Sequence, residues 1–124
     1  MRVIDTNIFV DHLRGFGPAV KFFGSILEAE DVLFSAITEA ELVAGKDCSD
    51  AKKKDTVLHF LHRWEKVPVT NPVAVMAGDL SRDYGLLIPD AIIAATAILS
   101  GAELLTRNTA DFEKVPKLRI RAPY

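Results

Sequence analysis

The stretch that most restricts the fold is AIIAATAIL, Ala91 to Leu99, which reads as a helix apolar on nearly every side. It reaches only about half of the ~20 apolar residues that a membrane span needs. Such a helix must therefore be covered by protein, either in the core or partly against a second subunit. Pro89 and Asp90 in front of it are a helix start, Gly101 behind it is a stop, and its alanines let it lie close to a sheet.

The rest of the chain supplies the sheet. Val3-Ile4, Val32 to Phe34, Val67 to Val69, Glu103 to Leu105 and Leu118 to Ile120 read as short strands. Helices fall between them. One runs from about Asn7 to Arg14, and a second carries Ala19, Phe22, Phe23 and Ile26 at helical spacing. A third starts near Thr38 and ends near Gly45. A fourth, between Ser49 and Lys66, has Val57, Phe60, Leu61 and Trp64 as its apolar stripe. A fifth opens at Asn71-Pro72 and is stopped by Gly85. Short strands alternating with helices, without a linker, repeat or low-complexity tract, predict an α/β fold: a three-layer α/β/α sandwich on a mostly parallel sheet, one domain over residues 1–124.

Composition narrows the function classes. With 15 basic and 17 acidic residues the formal charge is −2, so net charge alone would not draw in a polyanion. The single cysteine, Cys48, excludes an intrachain disulfide and a cysteine-rich zinc site and suits a reducing cytosol. With no membrane span and no signal peptide in view, the expected location is the cytoplasm.

In open parallel sheets ligands bind beyond the carboxyl ends of the strands. Asp5 follows the first strand, Asn108 and Asp111 follow the fourth, Asp90 begins a helix, and Glu41 lies in the helix after the second strand. Each acid has a bland reading. Asp5 could cap a helix. Thr38-x-x-Glu41 matches a capping box. Asp90 stands in a first helical turn, where the macrodipole favours an acid. Asn108-x-x-Asp111 could be another cap. Capping does not require four acids on one sheet edge, however, and clustered carboxylates raise one another's pKa and destabilise the fold. A hard divalent cation, Mg²⁺ or Mn²⁺, relieves that conflict through oxygen ligands. It also lowers the pKa of a bound water and neutralises charge on phosphate oxygen. Thr6, Asn7, Thr106 and Asn108 are suited to holding the carboxylates and waters in place.

These residues carry a family resemblance. VIDTNIFVDHLRG, ITEAELVAG and YGLLIPDAIIAATAILSGAELLTRNTADFEKVPKLRI together resemble the PIN-domain ribonucleases, in particular the VapC-type toxins of prokaryotic toxin–antitoxin pairs. The resemblance runs nearly end to end and places the family's acids on Asp5, Glu41, Asp90 and Asp111. Periodicity alone does not choose Glu41 over Glu39, nor Asp111 over Asn108. The resemblance implies Mg²⁺- or Mn²⁺-dependent endonucleolytic hydrolysis of RNA, a homodimer, and a small antitoxin that blocks the acidic pocket. It implies that Asp5, Glu41 and Asp90 hold the main ion and that Asp111 completes the site. A dimer is also the expected way to cover the apolar excess of the Ala91 to Leu99 helix and its predecessor.

Two other readings stay open at this point. A haloacid-dehalogenase-like phosphatase also places an Asp after its first strand, but needs a second Asp where this chain has Asn7. A PIN-fold module could bind metal and a partner without cutting RNA. Elsewhere, His12, His59 and His62 read as helix-surface residues, Lys52 to Lys54 as a solvated basic run, and Cys48 as a small side chain. Arg14 and Arg107 are the better candidates for contacting substrate phosphate.

Overall fold

The computed structural model describes residues 1–124. Five strands form one sheet: β1 (Arg2–Ile4), β2 (Val32–Ser35), β3 (Glu65–Val67), β4 (Glu103–Leu105) and β5 (Ile120–Arg121). Their spatial order is β3-β2-β1-β4-β5, and every neighbouring pair is parallel. The helices are α1 (Thr6–Leu13), α2 (Gly17–Ile26), α3 (Ala36–Val43), α4 (Ala51–Leu61), α5 (Asn71–Tyr84), α6 (Ile88–Leu99) and α7 (Thr109–Phe112), with a 3₁₀ turn at Lys46–Ser49.

The central strands are apolar on both sides because helices cover both faces. Val3, Leu33 and Leu104 point into one core, packed with Ala77, Ile93 and Phe112 from α5, α6 and α7. Their neighbours Ile4, Val32, Phe34 and Leu105 point into the other, with Phe9, Phe23 and Leu61 from α1, α2 and α4. The strands' period of two thus divides one apolar run between two cores. Ala91, Ala94, Ala95 and Ala97 of α6 are fully buried against the first, as a helix without a polar face requires. Gly85 ends α5 in the left-handed conformation (φ 71°), where a side chain would be strained.

The two edge strands differ from the sequence reading. β3 is Glu65–Val67 rather than Val67 to Val69, pairing through Leu33 with Glu65 and Ser35 with Val67. An edge strand tolerates charged residues, so its hydropathy does not mark it, and Pro68 has no amide with which to continue it. β5 is Ile120–Arg121 rather than Leu118 to Ile120, following Lys117 at positive φ. The third helix starts two residues earlier than expected, at Ala36, because Ser35 caps it by accepting a hydrogen bond from the Ile37 amide (3.1 Å). That shift moves Thr38 into the helix and Glu41 into its second turn, so the capping-box reading fails.

From β1 the chain steps outward to β2 and β3, then returns to the other side of β1 for β4 and β5. The sheet's topological switch therefore lies between β1 and β4, the point where open α/β sheets form a crevice.

Candidate active site

The Asp5 amide donates to the Leu105 carbonyl (2.9 Å), so the residues after β1 and β4 start side by side. Asp5 is 2% exposed. It occupies the N-cap position of α1, yet its carboxylate makes no capping hydrogen bond. Instead Oδ2 accepts from the Thr106 hydroxyl (2.8 Å), across the switch point. Thr106 Oγ1 in turn accepts from the Asn108 amide (2.9 Å), which orients its lone proton toward Asp5.

Glu41 reaches the site from α3. Its Oε1 accepts from Thr6 Oγ1 (2.8 Å), and Thr6 Oγ1 lies 2.9 Å from Thr38 Oγ1. A hydroxyl has one proton, and Thr6 gives it to Glu41. Thr38 must therefore be the donor to Thr6, which sets a directed chain from Thr38 through Thr6 to Glu41. Asp111 accepts from the side-chain amide of Asn108 (2.8 Å), at the end of the loop that Thr106 begins. Asp90 is half-buried in the first turn of α6. Asn7 is exposed on α1 and makes no cap.

The electrostatics are one-sided. Burial raises the Asp5 carboxyl to about 6, with the charges of Asp90 and Glu41 adding to the rise and the Thr106 hydrogen bond opposing it. Burial also raises Asp90, reinforced by the negative charges of Glu41 and Asp111. The structure thus brings all four acids into one mutually repelling set. None of them takes part in any of the chain's ion pairs. As the side chains stand, no three His, Cys, Asp or Glu residues close tightly enough around one point to hold a metal ion. The donor set nonetheless fits a hard cation: it offers carboxylate oxygens, hydroxyl groups steady two of them, and no protein cation competes.

A PIN-domain model matches residues 2–118. The chain belongs to the PIN-domain family. It is 34% identical to Ribonuclease VapC19 of Mycobacterium tuberculosis, across 96% of this chain and 98% of that one. Among solved structures it is similar to a toxin–antitoxin complex from Klebsiella pneumoniae, with 30% identity and a TM-score of 0.84 over 100% of this chain and 98% of that one. It is also similar to FitAcB from Neisseria gonorrhoeae, with 30% identity, a TM-score of 0.75, and 99% and 98% of the two chains covered. Family membership sets the haloacid-dehalogenase alternative aside.

Three features of this PIN domain escape the sequence reading. Thr38, taken there for a cap, is fully buried in the hydroxyl chain behind Glu41. Its helical offset of three from Glu41 puts the two on one face of α3, a signal masked by the wrong helix start. Arg107, expected to be free for phosphate, is paired with Asp11 (2.7 Å), which also accepts from the Tyr124 hydroxyl (2.7 Å). His12, expected on the surface, stacks on Phe60 with ring centres 4.3 Å apart, and its buried Nδ1 has no hydrogen-bond partner. Burial accordingly lowers its pKa, because the imidazolium form is the one penalised. His59 and His62 are exposed, as read from the sequence.

Proposed function

We propose that this PIN domain is the ribonuclease toxin of a toxin–antitoxin pair, an endonuclease that hydrolyses phosphodiester bonds in single-stranded RNA with Mg²⁺ or Mn²⁺. The observation that carries the reading is the acid set at the β1/β4 switch, with Asp5 buried, Asp90 half-buried and none of the four acids ion-paired. The names of its relatives, ribonucleases and toxin–antitoxin complexes, support the same reading.

Asp5, Glu41 and Asp90 would hold the ion, and Asp111 would complete the site directly or through water. When bound, the ion supplies a water of lowered pKa and neutralises charge on a phosphate oxygen. The chain's own contribution is orientation. Thr106 holds Asp5, Thr6 holds Glu41, and Asn108 holds Asp111. Burial of Asp5 and Asp90 keeps bulk water from screening them.

Two partners follow. The cognate antitoxin would block the acid centre, as expected of a toxin kept silent. A second copy would cover the apolar face around α5 and α6, where Val75 (66%), Leu87 (75%) and Ile88 (54%) are exposed. No helix is long and apolar enough to cross a membrane, and we place the toxin in the cytoplasm, where its RNA is.

The test is cleavage of single-stranded RNA by purified protein freed of antitoxin. Cutting that needs Mg²⁺ or Mn²⁺, stops with chelator and is lost in Asp90→Ala supports the proposal. Metal binding without turnover would replace it with the non-cutting PIN module, and cutting undiminished in chelator would overturn the metal site.

A further inference from the structure

Outside the acid centre a cleft of about 720 Å³ opens between α1, α3, the Lys46–Ser49 turn and α4. It is not the acid centre and shares with it only Glu41. Its floor is apolar, and its walls bring together Arg14, Lys46, Lys52 and Lys53 from three separate segments of the chain. Against these four cations stand only Asp47 and Glu41. None of the four takes part in an ion pair, whereas Arg2, Lys66, Arg82, Arg107 and Arg121 all do.

The helix explains which lysines take part. Successive residues turn by about 100° around an α-helix, so a run of three cannot share one narrow wall. Lys52 and Lys53 line the cleft and Lys54 does not. The Asp50 side chain fixes this first turn by accepting from the Lys52 and Lys53 amides (2.9 and 3.2 Å), leaving both ammonium groups free.

We infer that this cleft is a track for the RNA backbone, in which Arg14, Lys46, Lys52 and Lys53 hold phosphates on one side of the scissile bond as the strand passes Glu41. The inference rests on the ribonuclease reading above. Its ground is charge complementarity. The whole chain is mildly acidic and the catalytic centre more so, so a polyanion needs a local strip of positive charge to be held there. Cations without protein partners can take phosphates without breaking an existing ion pair. The contacts are to backbone and not to base edges, so they position the strand without selecting its sequence.

The experiment measures binding of a fluorescent single-stranded oligoribonucleotide across a salt series, in chelator so that nothing is cut. Each phosphate contact to a single strand contributes about 0.7 to the slope of log affinity against log salt. The double variant Lys52→Ala/Lys53→Ala should lower that slope by about 1.4 and weaken binding roughly ten- to thirtyfold at 0.1 M salt. Lys54→Ala, on the same turn but outside the cleft, should change neither. Circular dichroism checks that the fold survives, as expected for exposed side chains whose backbone cap is untouched. If the double variant binds like wild type, or no worse than Lys54→Ala, the track is refuted; a cleft reserved for an acidic segment of a protein partner would give that result. Cleavage by wild type with metal is read in parallel. Cleavage together with unchanged binding in the double variant refutes the track and leaves the ribonuclease reading standing. Loss of slope without any cleavage by wild type supports the track and refutes the ribonuclease reading.

Discussion

Glu39 and Glu41 lie two residues apart on α3, and the fold treats them in opposite ways. Glu39 is neutralised, with one oxygen 2.8 Å from His62 Nε2 and the other accepting from Lys66 Nζ at 3.0 Å. Glu41 turns the other way, toward Asp5 and Asp90, and receives only the hydroxyl of Thr6. The same split recurs on β1 and α1. Asp11 is paired with Arg107 and Tyr124, while Asp5 is buried with Thr106 alone. In each pair one acid helps to hold the molecule together and the other is left charged against its neighbours. The difference teaches that the candidate site is marked less by its acids than by their lack of ion-pair partners.

The sharpest way to break the comparison is to remove one acid of each kind. Asp5→Ala or Asp90→Ala should lower RNA cleavage at least ~100-fold, since each deletes a ligand of the proposed ion. Glu39→Gln should leave the rate within about threefold. Equal losses in the two classes, in a gel-based cleavage assay at saturating metal, would erase the distinction.

Next in size is the pH dependence of the metal-free protein. The Asp5 carboxyl is raised from 3.8 to about 6. A raised acid means that the folded state binds more protons than the unfolded one. The penalty is therefore absent below about pH 4 and grows as pH rises through about 6, reaching about 3 kcal/mol for this group alone. Urea melts in chelator should show stability falling across that window. Asp90→Asn, which keeps the shape and removes one repelling charge, should raise the midpoint of the chelated protein by about 2–5 °C and shrink the stabilisation given by Mg²⁺ or Mn²⁺. If the mutant melts where wild type does, with and without metal, Asp90 is a helix-start acid and nothing more.

The hydroxyl chain offers a smaller effect. Thr38→Val removes the donor behind Thr6 while keeping the shape. It should weaken Mn²⁺ binding, read as the metal-induced shift in melting temperature, by about tenfold. Thr38→Ser should restore most of it. Failure of serine to rescue would show that packing, not the hydrogen bond, is what Thr38 supplies. The smallest effect belongs to the paired side: Glu39→Gln should cost no more than ~1 kcal/mol in a denaturant melt, because its partners His62 and Lys66 are 54% and 43% exposed and screened by water.

Much of this was legible in the chain. An α/β sandwich follows from short apolar strands spaced by amphipathic helices, and Ala91 and Ile93 to Ala97 of the apolar helix do lie inside it, while Leu99 is exposed. The edge strands were misplaced because exposed strands such as Glu65–Val67 carry no hydrophobic mark. The start of α3 was misplaced because Ser35 and Thr38 are both competent caps, and only the backbone conformation at Ser35 chooses between them.

What the sequence by itself determined is local or periodic: which segments are apolar on one side or on both, where proline and glycine interrupt them, and which residues belong to a recognisable family pattern. These depend on neighbours a few residues apart. Tertiary structure alone decided which charges meet. Asp5 and Thr106 are separated by 101 positions, Asp11 and Arg107 by 96, and Glu39 and Lys66 by 27. The strand order brings the first pair together at the switch point and keeps every lysine and arginine out of ion pairing with the four central acids. An acid's role rests on its charged neighbours in space, and a Coulomb interaction depends on distance through the fold, which no local pattern encodes.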